Sequence, residues 1–123
     1  MHAAEHELSL EMQLGDLVTR GDEWGGMVVR YLRLPVGTDL RPLLKGLPED
    51  ACQCPHWGYI LSGSINLHYA DGTEEVNRAG DMYYWPAGHT GCTDDGVTFI
   101  ELSPADQLQP VLEHLSAQLS PAR

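Results

Sequence analysis

The chain has 123 residues, with seven Lys or Arg against 18 Asp or Glu and a formal net charge of −11. That length is one domain, with room for a single hydrophobic core and no need of disulfide staples. The lack of any basic patch excludes a nucleic-acid or anionic-membrane surface, and no stretch approaches the roughly 18 apolar residues that cross a bilayer.

Residues 1–7 form a polar N-terminus without the basic and apolar regions of an export signal, so a cytoplasmic protein is expected. Three cysteines (Cys52, Cys54, Cys92) are an odd number. In a reducing compartment they read as free thiols or metal ligands rather than a disulfide framework. Leu8, Leu10 and Met12 alternate over Glu7–Met12 and predict a short strand. Asp22 to Gly26 is a turn, and Met27 to Leu34, rich in β-branched and aromatic residues, is a second strand. Thr38 to Asp50 carries Pro42, Gly46 and Pro48 among four leucines. Two prolines oppose a regular element there, and the stretch reads as an ordered loop or short strand over a pocket mouth or a subunit contact.

Cys52 to Leu61 is the next strand, followed by Ser64 to Tyr69 with Ile65, Leu67 and Tyr69 on one face. Asp71-Gly72 is a strong hairpin signal and Thr73 to Asn77 pairs back. Ala79-Gly80-Asp81 turns into Met82 to Trp85, which Pro86-Ala-Gly88 ends; Asp94-Asp-Gly96 leads into Val97 to Leu102. Ser103-Pro-Ala-Asp106 reads as a helix N-cap with proline at the first helical position. Leu108, Val111, Leu112, Leu115 and Leu119 follow at helical spacing, with Pro110 kinking or starting the helix. Many short strands between evenly spaced turns predict an all-β sandwich or barrel.

The turn spacing resembles the cupin family, jelly-roll barrels built as double-stranded β-helices. The family's first motif ends with an acid, six residues, then glycine: Gly63 matches, and His56 stands where the acid would be. Its second motif matches at Gly80, Pro86 and Gly88, while the position of its histidine is Gly91 and His89 lies two residues earlier. The two histidine positions ahead of His56 fall at Asp50 and Cys52. The resemblance implies one cupin domain over residues 1–123, a barrel core over about 27–103 and a C-terminal helix over about 104–119. It also implies a homodimer. None of the four usual metal ligands keeps its ordinary identity, so the metal is either lost or rebuilt from Cys and His.

For a rebuilt site, Cys52, Cys54 and His56 are spaced by two, which places them on one face of a strand. His89 approaches from beyond the Pro86 corner, and Cys92 is a further candidate. Thiolate with imidazole favours zinc, suits iron, and also admits copper or nickel. Aromatics crowd the motifs at Trp57, Tyr59, Tyr83, Tyr84 and Trp85; Tyr84, with Glu101 from an otherwise apolar strand, is an acid–base candidate. Two functions compete. One is a metal-dependent enzyme acting on a small organic substrate inside the barrel, as isomerase, lyase, cyclase or dioxygenase. The other is a metal-free barrel that binds a small molecule without catalysis. Phosphate loops, nucleophile elbows and dinucleotide fingerprints are absent from the sequence.

Overall fold

The computed structural model describes residues 1–119. Its strands are β1 (Leu10–Leu14), β2 (Leu17–Trp24), β3 (Met27–Leu34), β4 (His56–Tyr69), β5 (Glu74–Arg78), β6 (Met82–Trp85), β7 (His89–Cys92) and β8 (Val97–Pro104). All pairings between them are antiparallel. β4 is the spine. Its first half pairs with β8 and β6 in one sheet, ordered β1-β2-β3-β8-β4-β6, and its second half pairs with β5 and β7 in the other. One strand therefore crosses both layers, where the sequence suggested two strands and a turn. The crossing bends at Gly63, where φ is 75° and a Cβ would lie 1.9 Å from the Gly96 carbonyl oxygen. Only glycine fits there, and the register shift between Ile60 and Ser62 beside it adds curvature.

Antiparallel register stacks the inward side chains of the larger sheet in rows. Thr19, Leu32, Phe99 and Ile60 face one another across β2, β3, β8 and β4. The next row is Gly21, Arg30, Glu101, Gly58 and Tyr83. Gly58 is required by its neighbour, since a Cβ there would sit 2.6 Å from the Tyr83 ring. The core is an apolar cluster including Leu32, Ile60, Ile65, Leu67, Trp85 and Phe99. The same alternation turns Trp57, Tyr59, Leu61, Met82, Tyr84, Ile100 and Leu102 outward, all of them exposed.

Two helices cover the barrel: α1 (Arg41–Leu44) and α2 (Ala105–Leu119). α2 presses Leu108 and Val111 onto Leu44, Cys52 and Cys54 in a second buried cluster. The Leu40–Leu47 stretch and α2 thus pack within their own chain, with His114 Nε2 and Gln118 Nε2 both donating to the Lys45 carbonyl, at 2.8 and 2.7 Å. Three local expectations change. Residues 17–24 are a strand, which polar composition hid. Ser103 is not a helix cap: β8 runs through Pro104, and the Ala105 N–H donates to the Gly26 carbonyl at 3.0 Å. Finally, α2 passes through Pro110 rather than beginning there.

Candidate metal centre

Three segments meet at one end of the barrel. His56 opens β4 and pairs with Trp85 across the ladder. His89 opens β7 immediately after the Pro86–Gly88 turn. Cys52 is pinned to His89 by an isolated bridge: its N–H donates to the His89 carbonyl at 2.9 Å, and its own carbonyl accepts from the Gly88 N–H at 2.8 Å. One ligand atom from each of Cys52, His56 and His89 lies within 4.8 Å of the others, and all three residues are buried. Cys52 Sγ is 3.5 Å from His56 Nε2, and the two imidazoles meet edge to face with centroids 4.9 Å apart.

The outer nitrogens of both rings are already engaged. His56 Nδ1 lies 2.7 Å from Ser103 Oγ and 3.4 Å from Glu101 Oε2. His89 Nδ1 lies 2.8 Å from the Pro86 carbonyl, which can only accept, so Nδ1 carries the proton. The carboxylate beside His56 favours the same tautomer. Both Nε2 atoms then keep a lone pair for a ligand, the usual way outer partners orient metal-binding histidines. Burial, then the Arg30 charge, pushes the His56 pKa down to about 3. Burial, then His56, holds His89 at about 4. Both are therefore neutral at pH 7, as ligation requires. Burial pushes the Cys52 thiol up to about 12, so this sulfur is a neutral thiol until a cation displaces its proton.

Behind the trio lies a charged row. Glu101, 2% exposed, takes Arg30 Nη1 at 2.5 Å, Ser103 Oγ at 3.2 Å and Tyr83 OH at 3.4 Å. Arg30 also holds Glu11 through Nε and Nη2, each at 3.1 Å. Burial alone would lower the Arg30 pKa; the Glu101 and Glu11 carboxylates more than reverse this.

Glu101 thus faces inward, beside the His56 ring. Tyr84 does not: it is 52% exposed and stacks on Trp57 at 5.2 Å on the outer face. The tyrosine of that strand that reaches the interior is Tyr83, so the assignment of Tyr84 as acid–base partner is corrected. Cys54 is buried, but its sulfur points at the Pro55 and Pro104 carbonyls rather than joining the trio. The chain becomes a regular strand only at His56, and Pro55 breaks the alternation that would have aligned Cys54 with His56. Cys92 stands apart, 3.9 Å from His68 Nε2. Arg30 and Thr19 escaped the sequence reading, while Ser103 entered it only as a helix cap and Tyr83 only as one of the clustered aromatics. For Arg30 a signal existed, because Val28, Leu32 and Leu34 share its parity in β3.

The architecture is the cupin fold, a double-stranded β-helix with a short C-terminal helix. Among solved structures it is similar to an RmlC-like cupin from Shewanella frigidimarina (18% identity, 84% of this chain and 89% of that one, TM-score 0.59). It is also similar to the polyketide cyclase RemF from Streptomyces resistomycificus (15% identity, 85% and 78%, TM-score 0.62). A third likeness is Bacillus subtilis oxalate decarboxylase (14% identity, TM-score 0.59), where 83% of this chain matches 28% of that longer one. No family model and no curated protein matches the sequence.

Proposed function

We propose that the protein is a zinc-type metalloenzyme that acts on a small organic molecule inside its barrel. The observation that carries this reading is the tautomer lock: both Nδ1 atoms are engaged by outer partners, leaving two Nε2 lone pairs converging on the Cys52 sulfur. Two imidazoles and one thiolate suit zinc, and three protein ligands are the number that catalytic zinc sites use. Bound there, zinc supplies Lewis acidity toward a substrate oxygen. The chain's own residues would do the rest: Glu101 and Ser103 orient His56, the Pro86 carbonyl orients His89, and the α2 leucines exclude water. Both the cyclase and the decarboxylase work in this fold, which makes an enzyme reasonable without choosing the reaction.

The test is element analysis of tag-free protein after equilibration with one metal at a time and removal of the excess. Near one zinc per chain is expected, falling below about a tenth in His56→Ala and Cys52→Ser, with Cys54→Ser unchanged. No metal retained by the wild type would leave a ligand-binding barrel.

The reading extends to assembly. Seven exposed apolar side chains on β4, β6 and β8 lie on neighbouring strands of one sheet face of a strongly acidic chain, and a contiguous apolar patch of this kind marks an interaction surface. A second copy, related by a two-fold axis, is the occupant such a self-complementary face takes. Sedimentation should give a dimer that Trp57→Glu converts to monomer; a monomeric wild type would dismiss the idea.

A further inference from the structure

The barrel holds a partly open cavity of about 80 Å³. Its polar wall consists of Thr19, Arg30, Cys52, His56, His89 and Glu101; its other walls are apolar, apart from the bare backbone of Gly91. Five of those six polar side chains have partners already described. Thr19 is the exception. It is 2% exposed, and among the described residues nothing hydrogen-bonds its Oγ1. An orphaned hydroxyl in a dry interior costs free energy that a valine of the same shape avoids. It sits in the row next to Arg30 and Glu101, opposite Leu32.

The charges of the cavity restrict the ligand further. Arg30 is the only Lys or Arg among the described residues that line it, and two carboxylates hold it. With zinc and a Cys52 thiolate in place, one guanidinium and one divalent ion balance two carboxylates and one thiolate. A neutral ligand keeps that balance. An anion would add an uncompensated charge in low dielectric.

We infer that the ligand is a compact, uncharged, mostly apolar molecule bearing a carbonyl or hydroxyl oxygen that Thr19 Oγ1 binds. The inference rests on the metalloenzyme reading for its charge count and on the orphaned hydroxyl for its contact. An apolar cavity near 150 Å³ takes the six carbons of benzene, so by proportion this one of about 80 Å³ takes about three non-hydrogen atoms, at most about four, as it stands. Carboxylic acids, the class to which oxalate belongs, are disfavoured. Thr19 is a specificity residue here; no step of the reaction is assigned to it.

The experiment compares acetone with acetate, which have equal numbers of non-hydrogen atoms. Each is titrated into zinc-loaded and zinc-free protein while the Leu32 methyl resonances are followed. Saturable acetone binding is expected, weakened about tenfold in Thr19→Val and largely restored in Thr19→Ser, with acetate at least tenfold weaker. Ligand-free Thr19→Val should melt higher than wild type by about 3–5 °C. Equal acetone affinity in Thr19→Val, acetate binding as tight as acetone, or a lower melting temperature in Thr19→Val would each overturn the inference. If zinc is not retained but zinc-free protein binds acetone through Thr19, the metal reading alone falls. If zinc is retained and Thr19 is irrelevant, the ligand inference alone falls.

Discussion

Arg30→Met is expected to destabilise the protein by about 3–5 kcal/mol, the usual result of removing one partner from a buried ion pair. Among the described residues Arg30 is the only Lys or Arg that meets Glu101 and Glu11, and Glu101 is almost wholly out of solvent. Without the guanidinium, Glu101 keeps only neutral donors among the described residues, the hydroxyls of Ser103 and Tyr83 and, at 3.4 Å, the His56 Nδ1–H. The carboxyl must then take up a proton or draw in water, and either displaces the side chain that orients His56. Pairing Arg30→Met with Glu101→Gln should recover about 2 kcal/mol, because the more deeply buried of the two orphaned carboxylates is gone while Glu11 remains. Urea denaturation of the four proteins of the cycle measures this. A loss below about 1 kcal/mol in the single variant would mean that the row is wet, and the argument for a dry cavity would fail with it.

The second large effect is with pH. In the folded chain His56 and His89 titrate near 3 and 4, against an ordinary value of 6.5. The unfolded chain therefore takes up both protons first as the solution is acidified. Stability is complete above about pH 6.5 and is lost as pH falls toward the folded values, at up to about 1.4 kcal/mol per pH unit for each ring. Metal-free protein in chelator should lose about 3 kcal/mol between pH 7 and pH 5. The sign is diagnostic. Relief of self-repulsion on an acidic surface acts in the opposite direction over the same range. His89→Gln, which removes one of the two titrations, should roughly halve the slope. A flat or rising stability profile would show that these rings are not held neutral in the interior.

The fold was legible because cupin punctuation is a matter of glycine and proline, residues whose backbone demands show without knowledge of packing. Gly63 and the Pro86–Gly88 corner sit where the motif required, and β3 and β6 have the limits the sequence suggested. What stayed hidden was hidden by the site itself. β2 turns Leu17, Thr19 and Gly21 inward, and β7 turns in His89 and Gly91, so neither strand shows apolar alternation. A barrel that keeps a polar wall gives up the very signal by which its strands are recognised. The trio itself was half visible. Cys52 and His56 occupy positions where the family places ligands, and His89 lies two residues from a third, on the same strand face as Gly91. Cys54 and Tyr84 were misplaced because side-chain parity depends on where a strand begins and how it registers, which neighbouring residues alone do not reveal.

α2 has a consequence for access. Most of the cavity wall belongs to hydrogen-bonded ladders, whereas the side formed by α1 and α2 is closed by leucine side chains, and α2 is attached to it chiefly by those leucines and by two donors to a single carbonyl. Local opening starts where attachment is weakest. On the function proposed above, this leucine-packed side, rather than the ladder-bound walls, is where a visitor larger than the resting cavity would find the least resistance.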